Sequence, residues 1–227
     1  MGEFKFYLPQ IDLMLDAGNV QLSTIKPSQW AEENIIMPKP RPGALRYRNS
    51  PYAKEIIDRL SPDDPCRKLY VMKGAQIGIS STVIIPFLVY MIRNCPGNTY
   101  FMVGAPDLVA KAVERLDLAI DSTATRAYIK PQAIRNRNNQ SGDTNFKKDF
   151  AGGYIFTGAT NNHKAIAQVD LQYTILDDLD AMKSVSKEDG SLVSLVLQRH
   201  AAYRDTYKHV GISTPRLKSA SVIEPLS

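Results

Sequence analysis

Apolar residues along this chain follow two rhythms. Short uncharged runs at 69–72, 98–104, 173–176 and 209–213, rich in β-branched and aromatic side chains, predict strands buried on both faces. Between them lie stretches with helical spacing. Residues 107–122 carry Val109, Val113, Leu116 and Ile120 on one face, with Asp107 as the expected N-cap. Residues 191–204 place Leu192, Leu195, Val196 and Arg199 on a shared face, and 81–94 is apolar enough for a buried helix. Pro86 falls in the first turns of that helix, where proline is tolerated. Shorter helices are predicted at 28–34, 53–60 and 161–168. Runs 147–150 and 154–157, separated by Ala151-Gly152-Gly153, read as a hairpin. No internal repeat is visible.

Alternation of strand and helix is the signature of an α/β fold with a mostly parallel sheet and helices on both faces. Residues 1–48 read as an extended N-terminal arm and linker, because Pro38, Pro40 and Pro42 force an extended path, and 49–227 as the domain proper. A chain of 227 residues with 44% apolar content can bury one sizeable core. No run reaches the length of a membrane span, and residues 1–7 lack the layout of a signal peptide. Cys66 and Cys95 have no metal spacing, which fits a reduced, cytosolic chain.

The formal charge of +5 is unevenly spread. Between 126 and 148, six basic residues (Arg126, Lys130, Arg135, Arg137, Lys147 and Lys148) stand against Asp143 alone, so this window accounts for the whole excess. Its polar tip, 136–142, suits a loop that touches nucleic-acid phosphates without reading bases, with Arg135, Arg137, Lys147 and Lys148 as contacts. A solvated surface loop explains the same composition.

The chemistry concentrates after the first core strand. Lys73-Gly74-Ala75-Gln76-Ile77-Gly78-Ile79-Ser80-Ser81 joins a strand-like run to a helix-like run, as in a phosphate-binding loop. In the usual G-x-x-x-x-G-K-[ST] pattern a lysine follows the last glycine, but Ile79 stands there, and Lys73 at the head of the loop is the available cation. Gly74, Ala75, Gln76, Ile77, Gly78, Ser80 and Ser81 complete the expected cradle, with the following helix N-terminus adding partial positive charge. The fold class is therefore P-loop NTPase-like, with ATP and Mg2+ as the expected ligands.

A second apolar run ends in Asp177-Asp178-Leu179-Asp180. Carboxylates at the C-terminal end of a parallel strand enter the ligand crevice. Asp177 with Ser80 is the expected Mg2+ pair, and Asp178 is the group to orient or deprotonate water. Ser213 and Thr214 end the last strand and qualify as a sensor coupling hydrolysis to movement. Trp30 and Tyr52 could stack on a base or anchor the arm, and Arg199 or Arg204 could reach a neighbouring nucleotide or remain solvated. His163, His200 and His209 are too scattered for a metal site.

These residues resemble the large subunit of tailed-phage DNA-packaging terminases, of the lambda-like GpA type. The resemblance runs through Gln29-Trp30-Ala31-Glu32, Pro42-Gly43, Arg46, Pro51-Tyr52, Met72 to Gly78, Gly152-Gly153-Tyr154, Thr157-Gly158-Ala159, Asp177 to Ala181 and Ser213-Thr214-Pro215. It implies an ATPase that translocates double-stranded DNA into a procapsid, working in the host cytoplasm with a small terminase subunit, a portal and a homo-oligomeric ring. In this family the loop lysine often takes the early position, which is similar to Lys73 here. Two departures stand out: Asp178 replaces a common glutamate, and Gln76 lies where some members carry an arginine, so an arginine would come from elsewhere or from a neighbour. The family's nuclease is not expected in this chain, because no acid-rich segment follows the Ser-Thr-Pro turn. Two rival functions remain open: a nucleotide-binding packaging subunit with little hydrolysis, and a helicase-like ATPase on single strands.

Overall fold

Six strands form one sheet in the order β3-β8-β7-β4-β6-β5. They are β3 (Lys68–Met72), β4 (Asn98–Val103), β5 (Lys147–Phe150), β6 (Gly153–Ala159), β7 (Tyr173–Asp177) and β8 (Lys208–Ser213). All neighbours are parallel except the edge pair β5–β6, which is the expected hairpin. The computed structural model describes residues 25–38, 42–130, 146–159, 169–182, 192–215 and 221–223. The helix expected at 161–168 and residues 1–24 of the arm lie outside these.

Both faces of the sheet are covered, as the alternation in β4 requires. Phe101 and Val103 point into a core with Tyr173, Ile175, Val210 and Ile212, while Tyr100 and Met102 point into a second one with Leu176. The first core is roofed by α1 (Pro27–Asn34), α2 (Pro51–Asp58), α3 (Ile85–Asn94) and α4 (Pro106–Asp121). The second is closed by α5 (Leu192–Gln198) through Leu192, Val193 and Val196. Helix α3 is buried from Ile85 to Ile92, which explains its nearly uninterrupted apolar sequence. Each large apolar side chain enclosed there contributes about 2 kcal/mol to burial.

Three local expectations need correction. Asp107 lies in the first turn of α4 and not at its cap, which is Ala105 with no side-chain bond; Pro106 occupies the first helical position. The helix expected over 191–204 ends at Gln198, followed by a single 3-10 turn, Ala201–Tyr203. The Arg199 carbonyl accepts the Leu171 amide (2.9 Å), so a tertiary bond captures the group that a longer helix would need. Around the proline linker, Ile36–Met37 (β1) and Gly43–Ala44 (β2) close a small antiparallel ladder, with 39–41 outside the described residues.

Pro86 has a further consequence. Lacking an N–H, it cannot bond the Thr82 carbonyl four residues earlier. The helix starts instead as a π-turn, Ser80–Ile84, and the buried Tyr47 hydroxyl donates to the Thr82 carbonyl at 2.8 Å. The arm is therefore part of the loop's support. Trp30 meets Tyr90 edge to face at 5.7 Å, and the Tyr90 hydroxyl donates to the Ile25 carbonyl, which makes Trp30 an anchor and removes it from any base-stacking role.

At the N-terminal ends of the strands, Lys208 is buried and its ammonium donates to the carbonyls of Arg59, Asp64 and Cys66, at 3.2, 2.6 and 2.8 Å. These bonds fasten the connection that feeds β3. Burial moves its pKa down to about 8. Beside it, His209 contacts Tyr70 and His200 edge to face and is fully enclosed. His200 bonds the Thr174 hydroxyl and the Leu171 carbonyl, whereas neither nitrogen of His209 has a partner among the described residues.

Burial, His200 and Lys68 together push the His209 pKa down to about 3, from 6.5. Between those values the unfolded chain binds a proton that the folded chain refuses, so stability falls as pH drops through this window. His200, also lowered by burial, acts in the same direction. The expected outcome is a loss on the order of 4 kcal/mol from His209 by about pH 3.5. Denaturant titrations from neutral to acid pH should show a flatter decline for His209→Phe; an unchanged slope would assign the acid sensitivity to other groups.

Candidate functional site

Strand order decides what meets at the carboxyl edge. β8 lies between β3 and β7, so the loop after β3, the Ser-Thr end of β8 and the acidic end of β7 emerge side by side. The Ser80 hydroxyl donates to Asp177 Oδ2 at 2.7 Å, joining positions 97 residues apart in sequence. The Lys73 amide bonds the Ser213 carbonyl at 2.9 Å, and its ammonium reaches Thr214 Oγ1 at 3.4 Å. Lys73, Ser80, Asp177 and Thr214 thus share one locus. Gly74, Ala75, Gln76, Ile77 and Gly78 form its exposed rim.

The loop's shape is costly. Gln76 takes a left-handed φ of 56° and Gly78 one of 85°, and for a side chain larger than glycine this conformation costs roughly 1–2 kcal/mol. Two amides, Ser81 and Thr82, close onto the Gly78 carbonyl at 3.0 and 2.9 Å, and the Thr82 hydroxyl joins them. The Tyr52 hydroxyl donates to the Ile77 carbonyl from outside. Tyr52 thereby buttresses the loop, a role its isolated position in sequence does not reveal.

The acidic turn is strained too. Asp178 has φ 68°, and its amide still bonds the Ile212 carbonyl at 2.8 Å, after which Leu179–Ala181 make one 3-10 turn. An aspartate tolerates this region better than most residues. Gly104 at the end of β4 leaves the space: a Cβ there would stand 2.7 Å from the Ala181 Cβ and 3.0 Å from the Asp178 carbonyl oxygen. Ser213 is fully buried, with its hydroxyl accepting from the Asp180 amide at 2.9 Å. It braces the turn, while Thr214 faces Lys73.

Asp177 carries the electrostatic tension of the site. Burial raises its pKa above the ordinary carboxylate value; the Ser80 hydrogen bond and Lys73 pull it down, Asp178 pushes it up, and Arg115 on α4 lowers it. The net direction is upward, so its desolvation outweighs the help it receives. A half-buried acid short of positive charge, bonded to a hydroxyl beside an open loop, is a donor set suited to a hard divalent cation.

The basic segment fares differently. Arg135 and Arg137 lie outside the described residues. Lys148 is buried and paired with Asp117 at 2.9 Å, which corrects its reading as a phosphate contact. Asp117 and Asp121 also hold Arg126, at 3.3 and 2.6 Å. Lys147 pairs with Asp149 at 2.8 Å and lies over the Tyr154 ring, on the sheet edge opposite β3. The density of basic residues was legible in the sequence; the acids of α4 that engage them were not.

Residues 39–227 match the family described as the phage terminase large subunit gpA, ATPase domain. Among solved structures, the HK97 bacteriophage large terminase is similar with 11% identity and a TM-score of 0.63, over 87% of this chain and 39% of that one. UvsW of T4 is similar with 11% identity and a TM-score of 0.50, over 91% and 40%. The large terminase ATPase domain of Thermus phage P74-26 aligns at 12% identity with a TM-score of 0.48, over 72% and 64%. At such identities the likeness to the HK97 terminase and to UvsW is one of fold. The chain spans about two fifths of the HK97 terminase. No curated protein sequence matches it.

Because the Asp177 pKa is raised, the folded state holds this proton to higher pH than the unfolded state, and its ionisation lowers stability as pH rises above the ordinary carboxylate value. Asp177→Asn, which can still accept from Ser80, is expected to be more stable near neutral pH by about 0.5–2 kcal/mol. Thermal unfolding at several pH values checks this. Equal stability of parent and variant at neutral pH would show that the carboxylate is not under strain.

Proposed function

The chain belongs to the phage terminase large-subunit gpA ATPase family, and from that premise we propose that it hydrolyses ATP at the β3 loop to drive double-stranded DNA into a procapsid. The observation that carries this reading is the bond between Ser80 and Asp177, which joins the loop to the acidic strand beside Lys73. In this reading 1–48 serve as an arm that supports the loop, and 49–227 as the hydrolytic domain. Strand cutting is not assigned to these residues.

The geometry supports the following roles. Lys73 swings from Thr214 onto the outer phosphate oxygens of the nucleotide, and the exposed loop amides with Gln76 line the same phosphates. Ser80 and Asp177 would hold Mg2+, whose chemistry there is to neutralise phosphate charge. Asp178, on left-handed backbone beside Asp177, orients the attacking water as a carboxylate acceptor. Ser213 holds the acid turn and Thr214 senses Lys73, so the end of β8 registers whether the phosphate is present. The small terminase subunit, the portal and a ring of identical subunits are the proposed partners, a neighbouring subunit being one source of a completing arginine.

Phosphate release by the purified chain, with and without double-stranded or single-stranded DNA, tests the reading. Turnover stimulated by duplex is expected, with Lys73→Ala lowering kcat/KM by about 10²–10³ and Asp178→Asn lowering kcat by about 10² or more. Saturable nucleotide binding without release would favour a binding subunit. Preferential stimulation by single strands would favour a helicase-like enzyme, and unchanged kinetics for Lys73→Ala would remove that residue from the site.

A further inference from the structure

Asp180 stands in the acidic turn two residues beyond Asp178. Its carboxylate takes three hydrogen bonds from a single segment: the Ser221 hydroxyl on Oδ2 at 2.7 Å, and the amides of Val222 and Ile223 on Oδ1 at 2.7 and 3.0 Å. Charge-assisted bonds of this kind are about twice as strong as neutral ones. The segment they hold lies beyond β8, and Ile223 is fully buried in the second core with Leu179 of the same turn. The amide of Asp180, in turn, donates to Ser213 at the end of β8. One short turn therefore carries Asp178 at its start and, through Asp180, is bonded both to the strand that ends in Ser213 and to the polypeptide that follows it.

We propose that the Asp180 carboxylate is a positioning group that fastens residues 221–223 to the acid-bearing turn, so that a shift of Asp177 and Asp178 around a bound nucleotide is passed into the polypeptide following β8. The turn is suited to this. Its left-handed Asp178 and close approach to Gly104 leave it little freedom to deform internally, so it moves as a unit. A displacement at its catalytic end then appears at its Asp180 end. A carboxylate that accepts two successive amides constrains the direction of the bound segment as well as its position, which a single hydroxyl contact would not. Ile223, buried in the same apolar cluster as Leu179, resists sliding of the segment along the turn.

The proposal rests on the nucleotide-hydrolysis reading, and its test separates the two. Asp180→Ala and Asp180→Asn are compared with the parent by steady-state ATP turnover and by amide hydrogen exchange with and without a slowly hydrolysed ATP analogue. Asparagine keeps an oxygen able to accept from Val222 and Ile223, whereas alanine does not. The expected result for alanine is a kcat lower by about ten-fold with KM for ATP within about two-fold, and exchange at Val222 and Ile223 that no longer responds to nucleotide. Asparagine is expected to recover most of both. A parent that hydrolyses ATP at a rate matched by Asp180→Ala overturns the coupling alone, as does a lower melting temperature with kcat unchanged. A parent that neither binds nor hydrolyses ATP overturns the nucleotide reading and the coupling together.

Discussion

A half-buried carboxylate held against a loop hydroxyl organises this molecule. Asp177 is ionised only at a cost, because burial outweighs what Ser80 and Lys73 offer it. The three strands β3, β8 and β7 end within one residue of one another. The site is thus an outcome of strand order: β8 pairs with both β3 and β7, which brings the loop after β3 and the end of β7 to one edge of the sheet.

The strain at this edge is met by supports that lie elsewhere in the fold. Gln76 in the loop after β3 and Asp178 in the acidic turn both occupy left-handed backbone. Tyr52 and Tyr47 supply hydroxyls to carbonyls at Ile77 and Thr82, the second being the group that Pro86 leaves without a donor. At the far end of the strands, the buried Lys208 ties down the connection entering β3. Stability is concentrated in the apolar faces and stress at the polar edge, the distribution expected where function requires conformations that packing alone would not select.

The acid turn also connects the two cores. Leu176 and Leu179 pack with the second core, Ile175 with the first, and the turn between β7 and Ala181 is bonded to β8 through Ser213 and to residues 221–223 through Asp180. Such a turn is surrounded by discrete hydrogen bonds and close-packed groups, which favour alternative settings over gradual deformation. This gives physical content to the expectation that the Ser-Thr end of β8 reports on the nucleotide. It also divides the labour between neighbours: Ser213 braces, while Thr214 meets the cation.

Much of this was determined by the sequence alone, because the relevant physics is local. Uncharged runs of strand length, helical spacing in 107–122 and the Gly-Gly turn before β6 are statements about periodicity and backbone freedom, and each element formed where they placed it within a few residues. The loop and the acidic strand were legible for the same reason, since their residue types and order carry the chemistry. Tertiary structure decided the rest. Lys148 reads as a free cation until Asp117 arrives from a helix 31 residues earlier, and the helix after Leu192 reads as longer until Leu171 takes its carbonyl. Tyr47, Asp180 and Gly104 owe their roles to partners distant in sequence. Hydrogen-bond partners, desolvation and steric clearance are properties of neighbours in space, and a one-dimensional pattern contains them only after the chain has folded.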